Sequence, residues 1–241
     1  MSSFHERCLE KEILDTQTFD DPTTSQIYRR IQSVNRWLGG TRVILSHFKR
    51  FSKQWTPGQT ISVLDVGSGA ADIPEAIVLW GRKHGFNISV TALDFSLSAS
   101  RLARARLSDF PEIRWIAASN PDLPFHPGSF DYVISSLFFH HMTDEDIKAS
   151  LIKFDETARR GIIINDLLRF RLAYAGFWMF SKITGPQNTA DRVFHEDGLL
   201  SVKKSFRRNE VEAWAKTAGL SYLNHFSHFI YRFALAGEKN V

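Results

Sequence analysis

Short apolar runs rich in β-branched residues recur along the middle of the chain, and segments with helical spacing separate them. The runs are ISVLDV (61–66), ISVTALD (88–94), IRWIAA (113–118), FDYVISSL (130–137) and GIIIND (161–166). Near-continuous apolar strands that alternate with helices are typical of a parallel sheet covered on both faces. The pattern therefore predicts an α/β fold, with helices up to about residue 84, over 96–107 and over 143–155.

The pattern differs at both ends of this repeat. Residues 1–55 are predicted to be helical, with a helix start at DPTT (21–24), apolar positions at helical spacing, and a break at Gly39-Gly40. After residue 166, roughly forty residues, which include a helix-like aromatic segment at 172–183, precede the next helix–strand unit, whose helix is predicted near 209–218. Two strands, SYLNHF (221–226) and FIYRFALAG (229–237), are predicted to pair antiparallel.

These shifts predict one structural unit with three parts. Residues 1–55 form an N-terminal helical cap, and residues 56–241 form the main domain. An insertion over 167–207 serves as a lid, because loops of that length are often functional. Its aromatic segment LAYAGFWMFSKI (172–183) is expected either to line an apolar pocket or to pack on the domain or on a second subunit.

Composition narrows the class of protein only slightly. The 241 residues carry 30 Lys and Arg against 26 Asp and Glu, a net charge of +4, which is too small to indicate nucleic acid. The paired basic residues at 159–160, 203–204 and 207–208 are predicted to be solvated helix ends. A single cysteine, Cys8, excludes an internal disulfide and a cysteine-based zinc site.

The same composition gives no sign of a membrane span or a secretory leader. The N-terminus MSSFHERCLEKE lacks an apolar core, and the longest apolar run, 172–180, is far shorter than the ~20 residues that a spanning helix needs. We therefore expect a cytoplasmic protein, either a monomer or a homodimer.

The segment VLDVGSGAADIP (63–74) carries the first chemical signal. Gly67 and Gly69 follow a strand and precede a helix, where glycines let the backbone approach a ligand and where the first N–H groups of the helix lack partners within it. A dinucleotide fingerprint would place glycine where Asp72 stands, and a carboxylate beside a pyrophosphate is unfavourable. The lysine of a phosphate-binding P-loop is also absent.

Two further features accompany this loop. The second strand ends in Asp94-Phe95, and an acidic residue there can accept hydrogen bonds from ribose hydroxyls. Then follows AASNPDLPFHPGSFDYVISS (117–136). With the D-x-G-x-G of residues 65–69, these features resemble the class I S-adenosylmethionine-dependent methyltransferases, in their small-molecule branch that includes quinone and natural-product enzymes.

The resemblance covers roughly residues 60–166. It implies a Rossmann-like three-layer sandwich with a seven-stranded, mostly parallel sheet of order 3-2-1-4-5-7-6. It also implies S-adenosylmethionine as cofactor and S-adenosylhomocysteine as product. The residues it assigns to the cofactor are Asp65, Gly67, Ser68, Gly69, Asp94, Phe95, Ser119, Asn120 and Ser135. Ser119 stands where the family usually has an aspartate for the adenine amino group.

Two adjacent histidines follow the fourth strand, in LFFHHMTDED (137–146). His140 and His141 should lie beside Asn165 and Asp166, which end the fifth strand, because the carboxyl ends of parallel strands share one edge of the sheet. A histidine paired with an aspartate suits a general base at neutral pH. Packing or capping is the competing interpretation. No metal is predicted, since adjacent residues rarely point at one ion.

We expect a methyltransferase acting on a small, hydrophobic or aromatic metabolite, with methylation at oxygen or carbon and with catalytic roles for His140, His141, Asp166 and Asn165. A nucleic-acid methyltransferase, a nicotinamide-dependent oxidoreductase and a binding protein without catalysis remain as alternatives. The proline motif of base-amine methyltransferases is missing after the fourth strand, where Ser135-Ser136-Leu137-Phe138 stands. Nucleic acid is therefore not favoured as a partner.

Overall fold

One sheet of seven strands organises the chain, which is represented by a computed structural model that describes residues 4, 6–118, 123–229 and 231–239. The strand order is β3-β2-β1-β4-β5-β7-β6. The strands are β1 Thr60–Val66, β2 Asn87–Asp94, β3 Ile113–Ala117, β4 Phe130–Ser136, β5 Ala158–Leu167, β6 Asn224–His228 and β7 Arg232–Glu238. All neighbours are parallel except β7, which is antiparallel to both β5 and β6. This confirms the predicted fold class and strand order.

Helices cover both faces of the sheet, and further helices lie at the edge where the parallel strands have their carboxyl ends. They are α1 Ile13–Thr16, α2 Asp21–Trp37, α3 Gly40–Phe51, α4 Asp72–His84, α5 Leu97–Arg106, α6 Asp144–Thr157, α7 Arg171–Thr184, α8 Thr189–Lys204 and α9 Arg208–Thr217. Four helices, α2, α5, α6 and α8, begin with a side-chain cap: for example, the Asp20 side chain accepts from the Thr23 N–H at the start of α2, and the Thr143 hydroxyl accepts from the Asp146 N–H at the start of α6. Within the described ranges, no helix is long and apolar enough to cross a membrane.

Two apolar cores fill the space between the sheet and its helices. One joins α3 and α4 to the sheet and is rich in aromatic rings; Phe51 stacks on Tyr132, whose hydroxyl accepts a hydrogen bond from Trp55 Nε1 at 2.9 Å. The other joins α6 and α9 to the opposite face, around Phe206 and Trp214. Because helices exclude water from both faces of the sheet, the strands are apolar along nearly their whole length.

The N-terminal helices and the segment after β5 pack on each other at the carboxyl edge of the sheet. Ile27 of α2 lies in a small apolar cluster with Ala190 and Val193 of α8. The carboxylate of Asp197 accepts hydrogen bonds from the backbone N–H groups of Ile13 and Leu14, at 2.7 and 3.0 Å. These contacts hold the start of the chain above the ends of the parallel strands.

Candidate active site

A cavity of about 1070 Å³ opens where β1, β2 and β4 end, at the reversal of strand order. Open α/β sheets place their ligands at that point. Its floor contains the glycine loop and Asp94, and its far wall contains His140, His141 and the helices that pack above them. One continuous cavity therefore joins the two groups of residues that the sequence singled out.

The glycine loop is held against β2 by its own backbone. The N–H groups of Gly67 and Ser68 both donate to the carbonyl of Leu93, and the N–H of Gly69 donates to Asp94 Oδ2 at 2.7 Å. These three N–H groups are thus engaged with β2 and are not free for a ligand. Gly67 has φ +74°, and a Cβ there would collide with the Phe138 ring, so only glycine fits.

Three carboxylates surround this loop and give the cavity floor its charge. Asp65 is 1% exposed, and neither of its oxygens has a hydrogen-bond partner among the described residues. One oxygen of Asp72 also lacks a partner. Burial raises the pKa of Asp65 and of Asp72, and the neighbouring carboxylates raise that of Asp65 further. Such a floor is complementary to a ligand that carries positive charge.

Asp94 has a different environment from these two carboxylates. Its Oδ1 accepts from the Ser96 N–H at 2.8 Å and its Oδ2 from Gly69, so each oxygen keeps one free lone pair. Burial nevertheless raises its pKa above the ordinary value. Tyr28 of α2 also lines the cavity, and burial together with the Asp94 charge raises its pKa to about 12. Tyr28 therefore stays a neutral hydroxyl above the loop.

The other predicted cofactor residues differ in placement. Ser68 and Phe95 both line the cavity, and Phe95 is 61% exposed. The structure does not bring Ser135 into this group, because its hydroxyl donates to the Val66 carbonyl at 2.8 Å and ties β4 to β1. Its neighbour Ser136 lines the cavity instead. Ser119 and Asn120 lie outside the described residues.

His140 and Asp166 form a buried pair at the ends of β4 and β5. His140 Nδ1 lies 2.8 Å from Asp166 Oδ1, and the backbone N–H of His140 donates to Asp166 Oδ2 at 3.1 Å. Burial alone would raise the pKa of Asp166, but the charge and hydrogen bonds of His140 and the Leu167 N–H hold it below its ordinary value. A carboxylate at Nδ1 leaves Nε2 as the acceptor nitrogen.

Asn165 has a supporting position. Its Nδ2 donates to the Ser136 hydroxyl at 2.7 Å, while its side-chain oxygen has no partner in the described part of the chain. Its side chain is fully buried and is not among the residues that line the cavity. Asn165 thus positions Ser136 rather than reaching the cavity itself.

His141 is held by Asp15 of the predicted N-terminal cap, a residue that the sequence had not connected with the histidines. Its Nδ1 lies 2.8 Å from Asp15 Oδ2 and 3.4 Å from the ammonium of Lys204. Glu12 lies between the imidazoles, with its carboxylate oxygens 3.6 Å from His140 Nε2 and 3.9 Å from His141 Nε2. No pattern in the sequence marks these contacts, because about 126 positions separate Asp15 from His141.

Lys204 corrects the prediction that the basic pair at 203–204 is solvated. Its ammonium is buried and lies 3.3 Å from Glu12 Oε1. Burial raises the pKa of Glu12, and His141 and Lys204 partly offset that effect. Nitrogen and oxygen atoms of Glu12, His140 and His141 lie within 4.8 Å of one another, a spacing that could hold a metal ion. The Glu12 carboxylate, however, already has a positive charge beside it, the ammonium of Lys204.

Apolar side chains from three parts of the chain line the rest of the cavity. They are Leu14, Phe19, Ile27 and Ile31 from the N-terminal segment, Leu172, Phe177 and Phe180 from α7, and Phe194 and Val202 from α8. Polar side chains line the cavity at the ends of the strands, in the Glu12 cluster and along α2, where Arg30, Gln32 and Asn35 contribute. The cavity thus pairs an acidic floor and an imidazole with an apolar wall.

Comparison with known sequences identifies the central segment. Residues 63–161 match the sequence model of a family described as a methyltransferase domain. The segment contains the glycine loop, Asp94 and both histidines, so the match includes part of the cavity lining. It confirms the resemblance that the motifs had indicated.

Individual relatives are more distant. A ubiquinone/menaquinone biosynthesis C-methyltransferase UbiE from Rickettsia bellii is 31% identical over 91 residues, which cover 36% of this chain and 37% of the relative. A second UbiE, from Rickettsia felis, is 31% identical over 97 residues. This match covers 39% of this chain and 39% of the relative. The chain thus matches little more than a third of the length of these curated relatives.

Solved structures share the fold across almost the whole chain. A SAM-dependent methyltransferase from Aquifex aeolicus superposes with a TM-score of 0.61 at 17% identity, covering 92% of this chain and 99% of the other. The plantazolicin methyltransferase BpumL, solved with SAH, gives 0.66 at 16% identity and covers 94% and 92%. At such low identity these likenesses show the fold alone, which is the Rossmann-like seven-stranded sheet of methyltransferases.

Proposed function

We propose that this protein transfers the methyl group of S-adenosylmethionine to oxygen or carbon of a small apolar or aromatic metabolite, with His140 as general base. The observation that carries the proposal is the His140–Asp166 pair, 2.8 Å apart, at the end of an apolar cavity that continues to the glycine loop. The arrangement joins a cofactor region, a base and an acceptor region in one space.

The residues of the cavity floor suit this cofactor. The unpartnered carboxylate of Asp65 and the oxygen of Asp72 can accept from the ammonium group of the cofactor, and Asp94 can accept from ribose hydroxyls. The same carboxylates would repel the pyrophosphate of a dinucleotide. When bound, S-adenosylmethionine supplies an electrophilic methyl group on a sulfonium, whose carbon–sulfur electron pair stays with sulfur.

His140 removes the proton that the acceptor loses. Asp166 holds the Nδ1 proton, so the lone pair of Nε2 takes the proton from an acceptor O–H or C–H as the new bond to methyl forms. Asp166 is fully buried and stabilises the imidazolium that results. General-base assistance of this kind contributes about 10²–10⁴-fold to the rate.

The apolar wall supports a hydrophobic or aromatic acceptor. The cavity of about 1070 Å³ lies just above the roughly 300–1,000 Å³ range of ligand sites, so it has room for cofactor and acceptor together. The quinone-biosynthesis names of the relatives agree with an aromatic acceptor. We propose that residues 1–55 act as a cap and residues 167–207 as a lid, since both contribute to this wall.

A ligand-binding test comes first. We expect S-adenosylhomocysteine at about 100 times its Kd to stabilise the protein by about 2.7 kcal/mol. For a chain of this size that is a rise in Tm of roughly 5–10 °C. NADH at the same concentration should leave Tm unchanged. A Tm raised by NADH and not by S-adenosylhomocysteine would reject the proposal. Transfer of labelled methyl to an alkylated hydroquinone probe then checks the reaction itself.

A further inference from the structure

Helix α7 exposes an apolar stripe to solvent. None of its fourteen residues is buried, and Leu172, Met179 and Ile183 are 62%, 56% and 79% exposed. Their spacing of seven and four residues places them on one side of the helix. Such a stripe on a soluble surface marks a contact with something apolar.

The stripe continues into a patch that surrounds the mouth of the cavity. Phe170, just before α7, stacks on Tyr231 with ring centroids 5.2 Å apart. In the same β6–β7 turn, Phe229 is 85% exposed and its carbonyl lies against Gly39. Trp37 precedes Gly39 and is 75% exposed. Trp37, Tyr231 and Leu172 also line the cavity, so the patch and the mouth share side chains.

The charges within this patch have a single sign. The patch is built from residues 36–42, 168–184, 228–229 and 231–233, and these segments contain no Asp or Glu. They contain four exposed cations: Arg36, Arg42, Arg171 and Lys182. The net charge of the whole chain is only +4, so this face is more basic than the protein as a whole.

We propose that this face docks on an anionic lipid bilayer, and that the methyl acceptor is a membrane-dissolved molecule that enters the cavity from the lipid. A short helix with an apolar stripe, flanking cations and Trp at its edge lies in the interface of a membrane rather than across it. A second copy fits less well, because a two-fold contact would bring the same cations face to face. The acceptor part of this inference rests on the proposed function, whereas the docking does not.

The docking is tested without cofactor or acceptor, by flotation with vesicles of phosphatidylcholine and phosphatidylglycerol in equal parts. We expect the intact protein to float with them, less so in high salt, and to float weakly with phosphatidylcholine alone. The double variant Met179→Glu/Ile183→Glu should lower the partition coefficient at least about tenfold. The matched control, Leu79→Glu/Ile152→Glu, changes exposed apolar residues on α4 and α6 and should bind as the intact protein does.

Equal vesicle binding of the two double variants would overturn the inference. So would the finding that the intact protein is a dimer without affinity for vesicles and that the α7 double variant is a monomer. The outcome is independent of the reaction. Vesicle binding without methyl transfer to any probe would sink the proposed function and leave the docking intact. Methyl transfer without vesicle binding would reject the docking and leave the proposed function intact.

Discussion

At the scale of single residues, the site depends on a few buried polar groups whose partners determine their roles. Asp166 is the clearest example, because its two oxygens accept from His140 Nδ1, from the His140 N–H and from the Leu167 N–H. A carboxylate with no exposed surface keeps its charge only because these donors surround it. It therefore fixes both the orientation and the tautomer of His140.

Replacing Asp166 by Asn should lower kcat about 10²-fold or more, because an amide no longer secures the Nδ1 proton or the imidazolium. The Kd of S-adenosylhomocysteine should stay nearly unchanged, and calorimetry checks it alongside steady-state kinetics. His140→Gln should behave in the same way. The exposed Asp109→Asn serves as control and should retain both values. A large loss of cofactor affinity in the Asp166 variant would show that the pair is structural.

The sequence predicted much of this site and missed one side of it. The pairing of His140 with Asp166 follows from strand order, because adjacent parallel strands bring their ends together. Glu12, Asp15 and Lys204 reach the histidines through tertiary packing of α1 and α8, which no local pattern encodes. Lys204 illustrates why the sequence missed these contacts. A basic pair at a helix end is usually solvated, but this helix end is buried under the N-terminal segment.

At the scale of elements, strands were predicted more accurately than the segments between them. Each parallel strand has a distinct apolar run, and its observed bounds lie within about three residues of the prediction. The edge strand β6 begins at Asn224 rather than at residue 221, because an edge strand has pairing on one side only and a mixed composition. The insertion predicted over 167–207 contains the sixteen-residue helix α8, to which the sequence pattern had assigned no secondary structure.

The contact between α3 and β6 predicts a weakness in acid. His47 Nε2 lies 3.3 Å from His228 Nε2, so the two rings can share one proton but not hold two. Burial, with His228 and Arg50, lowers the pKa of His47 to about 4. The unfolded chain binds a proton near pH 6.5, and the folded chain does not until about pH 4. Stability from this site is therefore present above pH 6.5 and lost as pH falls through that window.

The expected loss between pH 7 and pH 4 is about 3 kcal/mol in the free energy of unfolding, from the two pKa values. His47→Gln cannot take up the proton and should lose correspondingly less over the same range. Urea unfolding at a series of pH values measures both. His84→Gln removes an exposed histidine and should follow the intact protein. Identical pH profiles for the His47 variant and the intact protein would show that this contact opens before it titrates.

At the scale of the whole molecule, segments far apart in the sequence enclose one cavity. The parallel strands supply the acidic floor and the imidazole, while α2, α7 and α8 supply the apolar wall. The side of that wall that faces solvent is the basic, apolar patch around the mouth. Chemistry and access are therefore built from different segments, and substitutions should separate them.

That separation gives a kinetic prediction for two acceptors with the same reactive head group, one water-soluble and one bearing a long alkyl chain and embedded in anionic vesicles. Met179→Glu/Ile183→Glu should lower kcat/KM for the embedded acceptor about tenfold, in proportion to its lost binding, and leave the soluble one unchanged. His140→Gln should lower kcat for both. Equal losses on both acceptors in the α7 variant would mean that the stripe supports the fold of the wall. Because Met179 and Ile183 point away from the cavity into solvent, a loss confined to the embedded acceptor reports on delivery from the membrane.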